Sequence, residues 1–396
     1  MSSTQNSCVL PENMLMEILS WLPLKEVVQL RCVSKAWNHL VSDPAFVKLH
    51  FQRSPKNTHL LLTFVDTADD GAQDRDYAVI CPIQDLLDNP SSTLETLHRN
   101  NRPFNRSYTV LGVCNGLVCL QDSSTEEVFS EYWFRIWNPA IRAMSKDSPH
   151  IRFRNSDYKD ISWFRFGFGY DEWSDTYQVV FLDNNKNESQ TLEVRVWSLG
   201  DTCWRNTLTC DPVSTGYAYG SPRTFGIFVS ATLNWLAFPK FYLDNSDGVK
   251  MNQLEIFSYH LKDETCRYFP MPDGILEVYV YGPEIEVLKG CLCLFHHYEY
   301  NLIIWLKREF NDEKSWSKLL TFSYQEYVND EFPLELSIIW EDDEVLLLAN
   351  TCIFKPRFLW YNTRYNRVDG DERYENDKWY LFSHEYAHSL VSPCMN

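Results

Sequence analysis

The stretch LVCLQDSSTEEVFSEYWFRIWNP (117–139) holds two short apolar runs, LVCL and FRIWNP, that are separated by polar residues. The same pair of runs recurs along the chain. The first series comprises LVCL (117–120), YQVVFL (177–182), LNWLAF (233–238), CLCLF (291–295) and VLLLA (345–349). The second comprises FRIWNP (134–139), VRVWSL (194–199), LEIFSY (254–259), LIIWLK (302–307) and RFLWYN (357–362). Short apolar runs bounded by polar turns predict β-strands.

The central aromatics of the second series give the period of this repeat. They are Trp137, Trp197, Phe257, Trp305 and Trp360, and they lie 60, 60, 48 and 55 residues apart. A period of about 50 residues with several short strands per unit predicts a propeller-like array of β-sheets. THLLLTF (58–64) with YAVICPI (77–83) would form an earlier unit, which makes about six units in all. In a closed ring, the last strand, within WYLFSHEYAHSLVS (379–392), pairs with this first unit.

The N-terminal residues follow a helical pattern instead. Apolar residues recur at helical spacing in the first segment, namely Met14, Leu15, Ile18, Leu19 and Leu22. A second helix begins at Leu24, and Ser34 is a suitable N-cap for a third, which Asp43-Pro44 closes. Three helices bury only a thin core, so a module that is apolar on more than one side needs a partner's surface. We therefore expect a helical head at 8–54 and a β body at 55–396.

Charge and composition limit the classes of partner. Residues 1–54 carry five Lys or Arg and four Asp or Glu, a net charge of +1. Since the whole chain has a formal charge of −18, the remaining residues carry −19. Such a surface repels nucleic acid and suits a basic protein partner. Neither a signal peptide nor a run of 18 apolar residues is present, so we expect no membrane span and a cytoplasmic or nuclear protein, or both. The twelve cysteines, which include no C-x-x-C pair, should then be reduced.

The sequence HEYAH (384–388) matches the H-E-x-x-H pattern of zinc peptidases. That chemistry needs a helix, on which His384 and His388 share a face and Glu385 acts as general base. The segment lies in the predicted closing strand, where residues four apart stand about 13 Å from each other. We therefore expect neither zinc nor peptidase activity. Asp171 to Asp175 similarly predicts a hairpin loop capped by its own carboxylates rather than a calcium site.

The head closely resembles an F-box. The resemblance rests on Leu10-Pro11, Ile18-Leu19, Leu22-Pro23 and the segment RCVSKAW (31–37), where Ser34 stands at a position that is often Cys in the family. The body resembles the F-box-associated (kelch-like) interaction domain of plant F-box proteins, through VLGVCNGLVCL (110–120), FRIWNPAIR (134–142) and FGFGYDEWSDTYQVV (166–180). The repeats lack the Gly-Gly doublet of kelch repeats and the Trp-Asp of the WD type.

The resemblance implies a function. It implies that the head docks on a Skp-type adaptor, which links it to a cullin, while the body captures a protein substrate for ubiquitination. The residues implied for the docking face are Leu10, Pro11, Ile18, Leu22, Pro23, Val33 and Trp37. Some of them, Trp37 especially, would equally serve to hold the helices together. We expect no catalytic residue, metal or cofactor, because ubiquitin transfer belongs to the recruited conjugating enzyme.

Three alternatives remain at this point: a ligase-independent interaction scaffold, a glycan-binding F-box receptor suggested by the many aromatics, and the zinc peptidase discussed above, which a metal analysis would test. No substrate-binding residue can be named from the sequence. The candidate capture loops, chosen for polarity and charge, are 66–76, 122–131, 183–190 and 242–248.

Overall fold

The computed structural model describes most of the chain. The described residues are 10–55, 59–66, 75–100, 108–154, 165–184, 191–210, 225–237, 254–273, 275, 283–288, 290–312, 314–323, 325–326, 335–341, 344–350, 356–362, 364–365, 367–373 and 378–394. Helices occur at the N-terminus and after the second strand, and the remaining elements are strands. The chain is therefore mainly β with a small helical head, as the sequence predicts.

Four helices form the head: α1 (Glu12–Leu19), α2 (Leu24–Leu30), α3 (Lys35–Ser42) and α4 (Pro44–Arg53). Pro11 and Pro23 occupy the N-cap positions of the first two helices. The Ser34 hydroxyl accepts a hydrogen bond from the Trp37 backbone N–H at 3.2 Å, which confirms Ser34 as the N-cap of α3.

The prediction of three helices is wrong, because Asp43-Pro44 begins a fourth helix instead of closing the head. The Asp43 carboxylate accepts hydrogen bonds from the backbone N–H groups of Ala45 (2.8 Å) and Phe46 (3.3 Å). Pro44 fits the first turn, where its missing N–H would have no helical partner. α4 in turn supplies fully buried Phe46 to the core of the head.

The described strands form six antiparallel sheets. The first contains β1 (His59–Asp66), β2 (Arg75–Pro82) and β24 (Lys378–Tyr386). The second contains β3 (Thr109–Cys114), β4 (Leu117–Thr125), β5 (Phe129–Asn138), β6 (Ala143–Met144) and β7 (Ile151–Arg154). The third contains β8 (Arg165–Asp171), β9 (Thr176–Asn184), β10 (Leu192–Ser198) and β11 (Arg205–Cys210).

The other three sheets have four strands each. The fourth contains β12 (Ile227–Val229), β13 (Thr232–Ala237), β14 (Glu255–His260) and β15 (Thr265–Pro270). The fifth contains β16 (Glu284–Leu288), β17 (Cys291–Tyr298), β18 (Asn301–Lys307) and β19 (Trp316–Ser323). The sixth contains β20 (Glu335–Glu341), β21 (Glu344–Asn350), β22 (Pro356–Asn362) and β23 (Arg367–Arg373). Two helices, α5 (Ile83–Asp88) and α6 (Pro90–Asn100), connect β2 to the second sheet.

The two repeated sequence series are the second and third strands of five sheets. Each central aromatic of the second series is the cross-strand partner of an apolar residue of the first. The pairs are Val118–Trp137, Val179–Trp197, Trp235–Phe257, Leu294–Trp305 and Leu346–Trp360. This common register confirms the predicted repeat.

These recurring aromatics belong to the hydrophobic core. Trp197 and Phe257 are 3% and 0% exposed, and the other three side chains are half-buried and pack against core clusters. The Trp360 indole N–H also donates to the Leu87 carbonyl at 3.0 Å and so fixes α5 against β22. Their role is packing, so they do not favour the glycan-binding alternative.

The prediction of about six units needs a correction. Five sheets have four or five strands and form the full blades of a propeller. In the described part of the chain, the sheet of β1, β2 and β24 has three strands, and it contains the predicted first unit. Its strand β24 pairs with β1 in antiparallel register, with His384 opposite Leu61, as expected for an element that joins the end of the body to its beginning.

The edge strands β24, β3, β8, β12 and β16 contact one another in this order and line a central channel. Gly167 of β8 and Gly226, just before β12, form a parallel bridge, so these neighbouring inner strands run in the same direction. Strands within each sheet are antiparallel. Counting the strands of each sheet outward from the channel, the turns from the first to the second strand and from the third to the fourth therefore lie at one mouth of the channel. The other connections lie at the opposite mouth.

The helical head sits at the first of these mouths. Ile141, in the turn between β5 and β6, and Leu390, after β24, pack into the core of the head with Leu19, Leu40 and Phe46. We call this end of the channel the head mouth and the opposite end the far mouth.

Candidate functional site

An exposed apolar stripe runs along α1. Met14 and Ile18 lie four residues apart and so share one side of α1, and Leu10 lies just before the helix. The exposed fractions of Leu10, Met14 and Ile18 are 44%, 48% and 53%. Val33, which follows α2, and Trp21, which follows α1, are exposed by 63% and 70%. Large apolar side chains that are this accessible on so small a module indicate a protein-binding surface.

The structure divides the seven predicted docking residues into two groups. Five are exposed, namely Leu10, Pro11, Ile18, Pro23 and Val33. Leu22 and Trp37 are half-buried and pack against the core of the head. These two side chains therefore support the helices, whatever contact their exposed parts make with a partner.

Sequence reasoning did not include Met14 and Trp21 in this surface. The i, i+4 spacing of Met14 between Leu10 and Ile18 could have identified it. Trp21 gave no such signal, because its position depends on Arg53 at the end of α4. The Arg53 guanidinium lies 4.9 Å from the centre of the Trp21 ring and contacts the Glu17 carboxylate at 2.5 Å.

A buried histidine holds α4 against the turn between α1 and α2. His50 is 1% exposed, and its Nε2 lies 3.0 Å from the Leu22 carbonyl oxygen. Its Nδ1 lies 3.3 Å from the Ser54 hydroxyl. Since the carbonyl can only accept, Nε2 carries the proton in this arrangement. This bond fixes the backbone of Leu22 beneath the exposed residues.

The head is tied to the body by the segment after β24, residues 387–394, which we call the tail. Asn138 is fully buried, and its side-chain amide donates to the carbonyls of Ser389 (2.9 Å) and Val391 (2.7 Å). Its Oδ1 accepts from the Ala140 N–H at 2.9 Å. Leu390, between the two tail carbonyls, inserts into the core of the head. Asn138, at the end of β5, thus holds the tail in place, and the tail in turn holds the head through Leu390.

The turn between β3 and β4 also supports the tail. Gly116 has φ +76°, and a Cβ built there would lie 2.4 Å from the Ser389 Cβ and 2.5 Å from the Ala387 carbonyl oxygen. Only a residue without a side chain fits this approach.

The strands that border the candidate capture loops end at the far mouth. Residues 66–76, 122–131, 183–190 and 242–248 each connect the strand next to an inner strand with the one after it. Of these, 67–74, 185–190 and 242–248 lie outside the described residues. The described ends of the strands that border these connections lie at the mouth opposite the head.

The connection 122–131 proves to be a tight hairpin. β4 continues to Thr125 and β5 begins at Phe129, with the Glu126 N–H donating to the Phe129 carbonyl at 2.8 Å. The Arg152 guanidinium lies 4.2 Å over the Phe129 ring. Val128 at the tip is 54% exposed.

The central channel forms a cavity of about 470 Å³. Phe51 of α4 lines it, so the head contributes to its wall. The inner strands and the residues beside them contribute Phe168, Phe225, Phe228, Glu286, His384 and Glu385. The channel is thus mostly apolar, with a few ionisable groups.

The HEYAH segment does not form the helix that a zinc peptidase needs. Residues 384–386 end β24, and the chain after them has no helical structure. His388 packs edge-on against His59, with ring centroids 4.4 Å apart. Burial lowers the pKa of His388 to about 4, with a smaller contribution from His59. Among the described residues, no group of three His, Cys, Asp or Glu could hold a metal ion.

Two other sequence predictions can be compared with the structure. The Asp171 carboxylate accepts from the Trp173 N–H at 3.0 Å and contacts Ser174, which confirms a hairpin turn capped by its own carboxylate. The ten cysteines in the described ranges are all free thiols. Burial raises the pKa of Cys81 to about 12 and that of Cys293 still further, as expected of small core side chains. No helix in the described part of the chain is long and apolar enough to cross a membrane.

Comparison with known proteins identifies both modules. Residues 8–49 match the F-box domain, and residues 81–372 match the F-box-associated β-propeller domain. An F-box/kelch-repeat protein of Arabidopsis thaliana is 26% identical over 322 residues, which cover 79% of each chain. The F-box protein CPR1 of the same plant is 26% identical over 376 residues, or 89% of this chain and 82% of its own.

Similarity to solved structures is weaker. The periplasmic gluconolactonase of Pseudomonas aeruginosa covers 79% of this chain, and 82% of its own, at a TM-score of 0.40 and 9% identity. That similarity is too low to carry an argument. The matched family is the F-box-associated propeller, so the kelch-like label stays a prediction. The chain belongs to the family of F-box proteins that carry an F-box-associated β-propeller domain.

Proposed function

We propose that this protein is the substrate receptor of a Skp, cullin and F-box ubiquitin ligase. The observation that carries the proposal is the exposed apolar surface of the head, formed by Leu10, Met14, Ile18, Trp21 and Val33. The head turns these residues to solvent while Leu390 and Ile141 of the body cover its other side. Such a surface on an F-box suits a Skp-type adaptor.

The exposed and the half-buried residues among the predicted docking residues have different roles in this proposal. Leu10, Pro11, Ile18, Pro23 and Val33 contact the adaptor. Leu22 and Trp37, which are half-buried, hold the helices in position. Aspartate at Ile18 or Val33 should therefore weaken adaptor binding without unfolding the head. Aspartate at Leu22 should weaken adaptor binding and also unfold the head.

Substrate capture belongs to the body, with the domain boundary near residue 54. The described strand ends that border the four candidate connections lie at the far mouth, away from the head, so a substrate bound at that end would not compete with the adaptor for space. The body's formal charge of −19 favours a basic protein substrate and disfavours nucleic acid. A receptor of this kind works in the cytoplasm, the nucleus or both.

The receptor adds no chemistry of its own in this scheme. It raises the effective concentration of substrate lysines near the conjugating enzyme that the cullin recruits. The matched families indicate no enzyme class.

Ubiquitin transfer onto the receptor itself tests the proposal without a known substrate. Full-length protein is incubated with a Skp-type adaptor, a cullin, a ring protein, a conjugating enzyme and ubiquitin. The proposal predicts ubiquitinated receptor that depends on the adaptor and is lost in Ile18→Asp. A ligase-independent scaffold would show no adaptor-dependent modification, and that result would reject the proposal.

A further inference from the structure

A buried arginine begins the inner strand of the third sheet. Arg165, the first residue of β8, is 8% exposed. The turn from β8 to β9 lies at the head mouth, so Arg165 is at the far-mouth end of its strand. Its cross-strand partner is Leu182, two residues before the end of β9 at Asn184. Arg165 therefore lies beside the strand end that borders the candidate capture connection 183–190.

The Arg165 side chain projects into the crevice between the third and fourth sheets. Alternate residues of a strand share a face, so Arg165 is on the same face of β8 as Gly167. A Cβ built at Gly167 would lie 2.9 Å from the side chains of Leu233 and Trp235 in β13. Leu182, Leu233 and Trp235 belong to one hydrophobic cluster. The guanidinium of Arg165 thus extends from an apolar face.

This guanidinium has no partner among the described residues. Its Nε is fully buried and makes no hydrogen bond. The acid nearest in register, Asp183, is on the opposite face of β9 and lies 3.0 Å from the Arg195 guanidinium. Burial lowers the pKa of Arg165 to about 9, so the group stays positively charged at neutral pH. The other buried Asp and Lys side chains in the described part of the chain all have partners, namely Asp122, Asp171, Asp183 and Lys307.

A buried cation without a partner suits an anionic ligand. Burial of an unpaired charge is unfavourable, and pairing with an anion offsets that cost. A carboxylate matches the guanidinium, because it can accept two parallel N–H bonds from it. The crevice contains a second unsatisfied donor, since the indole N–H of Trp235 is also buried without a partner. The formal charge of −19 on the body disfavours a doubly charged phosphate more than a singly charged carboxylate.

We propose that Arg165 binds a carboxylate of the substrate protein, an aspartate or glutamate side chain that enters the crevice between the third and fourth sheets from the far mouth. This rests on the proposed receptor function and names a feature of its substrate. The acidic body attracts basic residues on either side of that carboxylate. The recognised segment is therefore an acidic residue within a basic stretch.

Three short peptides provide the probe. Acetyl-Lys-Glu-Lys-amide is compared with the glutamine peptide, which keeps the shape and loses the charge, and with the phosphoserine peptide. Binding to the full-length protein is measured by calorimetry or ligand-observed magnetic resonance. We expect the glutamate peptide to bind with a dissociation constant of about 1 mM or below, and the glutamine peptide at least about tenfold more weakly.

Matched variants locate the binding site. Arg165→Met keeps an apolar stem without the charge, and it should abolish the preference for the glutamate peptide over the glutamine peptide. Arg165→Lys keeps the charge without the planar fork and should retain part of that preference. Arg267→Met removes the same charge from an exposed position in β15 of the fourth sheet and should leave the preference unchanged.

Stability without peptide separates a binding role from a structural one. Replacing a buried, unpaired charge by an apolar side chain of similar length removes an unfavourable burial. Arg165→Met should therefore melt at the temperature of the unaltered protein or above it. A clear fall in the melting temperature would show that Arg165 stabilises the fold, and it would overturn the proposal.

The peptide outcomes separate this proposal from the receptor function. Equal binding of the glutamate and glutamine peptides, no binding of either, or an equal loss in Arg267→Met would overturn the proposal. Tenfold tighter binding of the phosphoserine peptide would overturn it in favour of a phosphate site. If Arg165→Met fails to fold, the peptide comparison on the unaltered protein and on Arg165→Lys still decides the question. Adaptor binding measured on the same samples tests the receptor function independently, since none of these variants alters the head.

Discussion

Replacing Asn138 with alanine should release the tail from the propeller. The substitution removes both donors to the carbonyls of Ser389 and Val391 and the acceptor for the Ala140 N–H. A buried polar group left without its partner costs about 1 to 3 kcal/mol. Because Val391 is half-buried and water can replace part of its bond, we expect a total of about 2 to 4 kcal/mol.

Hydrogen exchange measures this loss directly. Since 1.4 kcal/mol corresponds to a factor of ten, amide exchange in residues 387–394 should accelerate by about 30- to 700-fold. Exchange in α1 to α4 should also rise, because Leu390 is part of the core of the head. Exchange in the distant strands of the fifth sheet should stay the same.

Asn206→Ala, at an exposed asparagine in β11, is the matched control and should leave exchange in the tail unchanged. Asn138→Asp keeps an acceptor for Ala140 but cannot donate, so it should release the tail at least as strongly as alanine. If Asn138→Ala leaves tail exchange within twofold of the unaltered protein, the tail is held by other contacts and the reasoning is refuted.

Three further predictions concern stability. Asp43→Ala removes the cap of α4 and should lower the free energy of unfolding by about 1 kcal/mol in a urea titration; no change would mean that α4 does not depend on its cap. Gly116→Ala and Gly290→Ala both place a side chain at positive φ, +76° and +74°, but only the first meets other atoms within 3 Å, the Ser389 Cβ and the Ala387 carbonyl oxygen. In thermal melts, Gly116→Ala should therefore be the more damaging, and equal effects would contradict the tight contact with the tail. The pKa of His388 is lowered to about 4 by burial, so the folded protein resists protonating it while the unfolded chain, near 6.5, does not. Stability should consequently fall as the pH drops from about 6.5 to 4, and His388→Gln should reduce that fall but not abolish it, because the pKa values of His59 and His297 are also lowered by burial. An unchanged profile in His388→Gln would contradict the prediction.

The repeat was predictable because each blade reuses the same local pattern. Apolar runs and central aromatics such as Trp197 and Phe257 lie in the buried second and third strands, where packing imposes the period. The joining of the last strand to the first sheet followed from the same pattern. That three described strands form this sheet did not follow, because the sequence pattern does not show how many strands a unit contributes.

The contacts that position the head were not predictable. Asn138-Pro139 reads as a turn in the sequence, and nothing nearby shows that the Asn138 amide binds carbonyls more than 250 residues away along the chain. Asp43-Pro44 has the same ambiguity, since an Asp before a Pro can end one helix or cap the next. In both cases the outcome depends on tertiary contacts and not on local preference.

The exposure of the predicted docking residues could be anticipated only in part. Five of the residues that the family resemblance named are exposed, and their contact with an adaptor stays a prediction. The resemblance could not separate exposed residues from supporting ones, because Leu22 and Trp37 belong to the same motif but face the core of the head. Exposure is a property of the folded module and cannot be read from the motif.

Adaptor affinity tests the central claim most directly. A Skp-type adaptor is titrated onto the full-length protein, onto Ile18→Asp, and onto Trp173→Asp, which alters a 78% exposed aromatic in the turn between β8 and β9. The account predicts tight binding to the unaltered protein and to Trp173→Asp, and at least about 30-fold weaker binding to Ile18→Asp, as expected when an apolar anchor is replaced by a charge. Equal affinity for all three proteins, or no binding to any, would contradict the claim that the head is an adaptor-docking F-box.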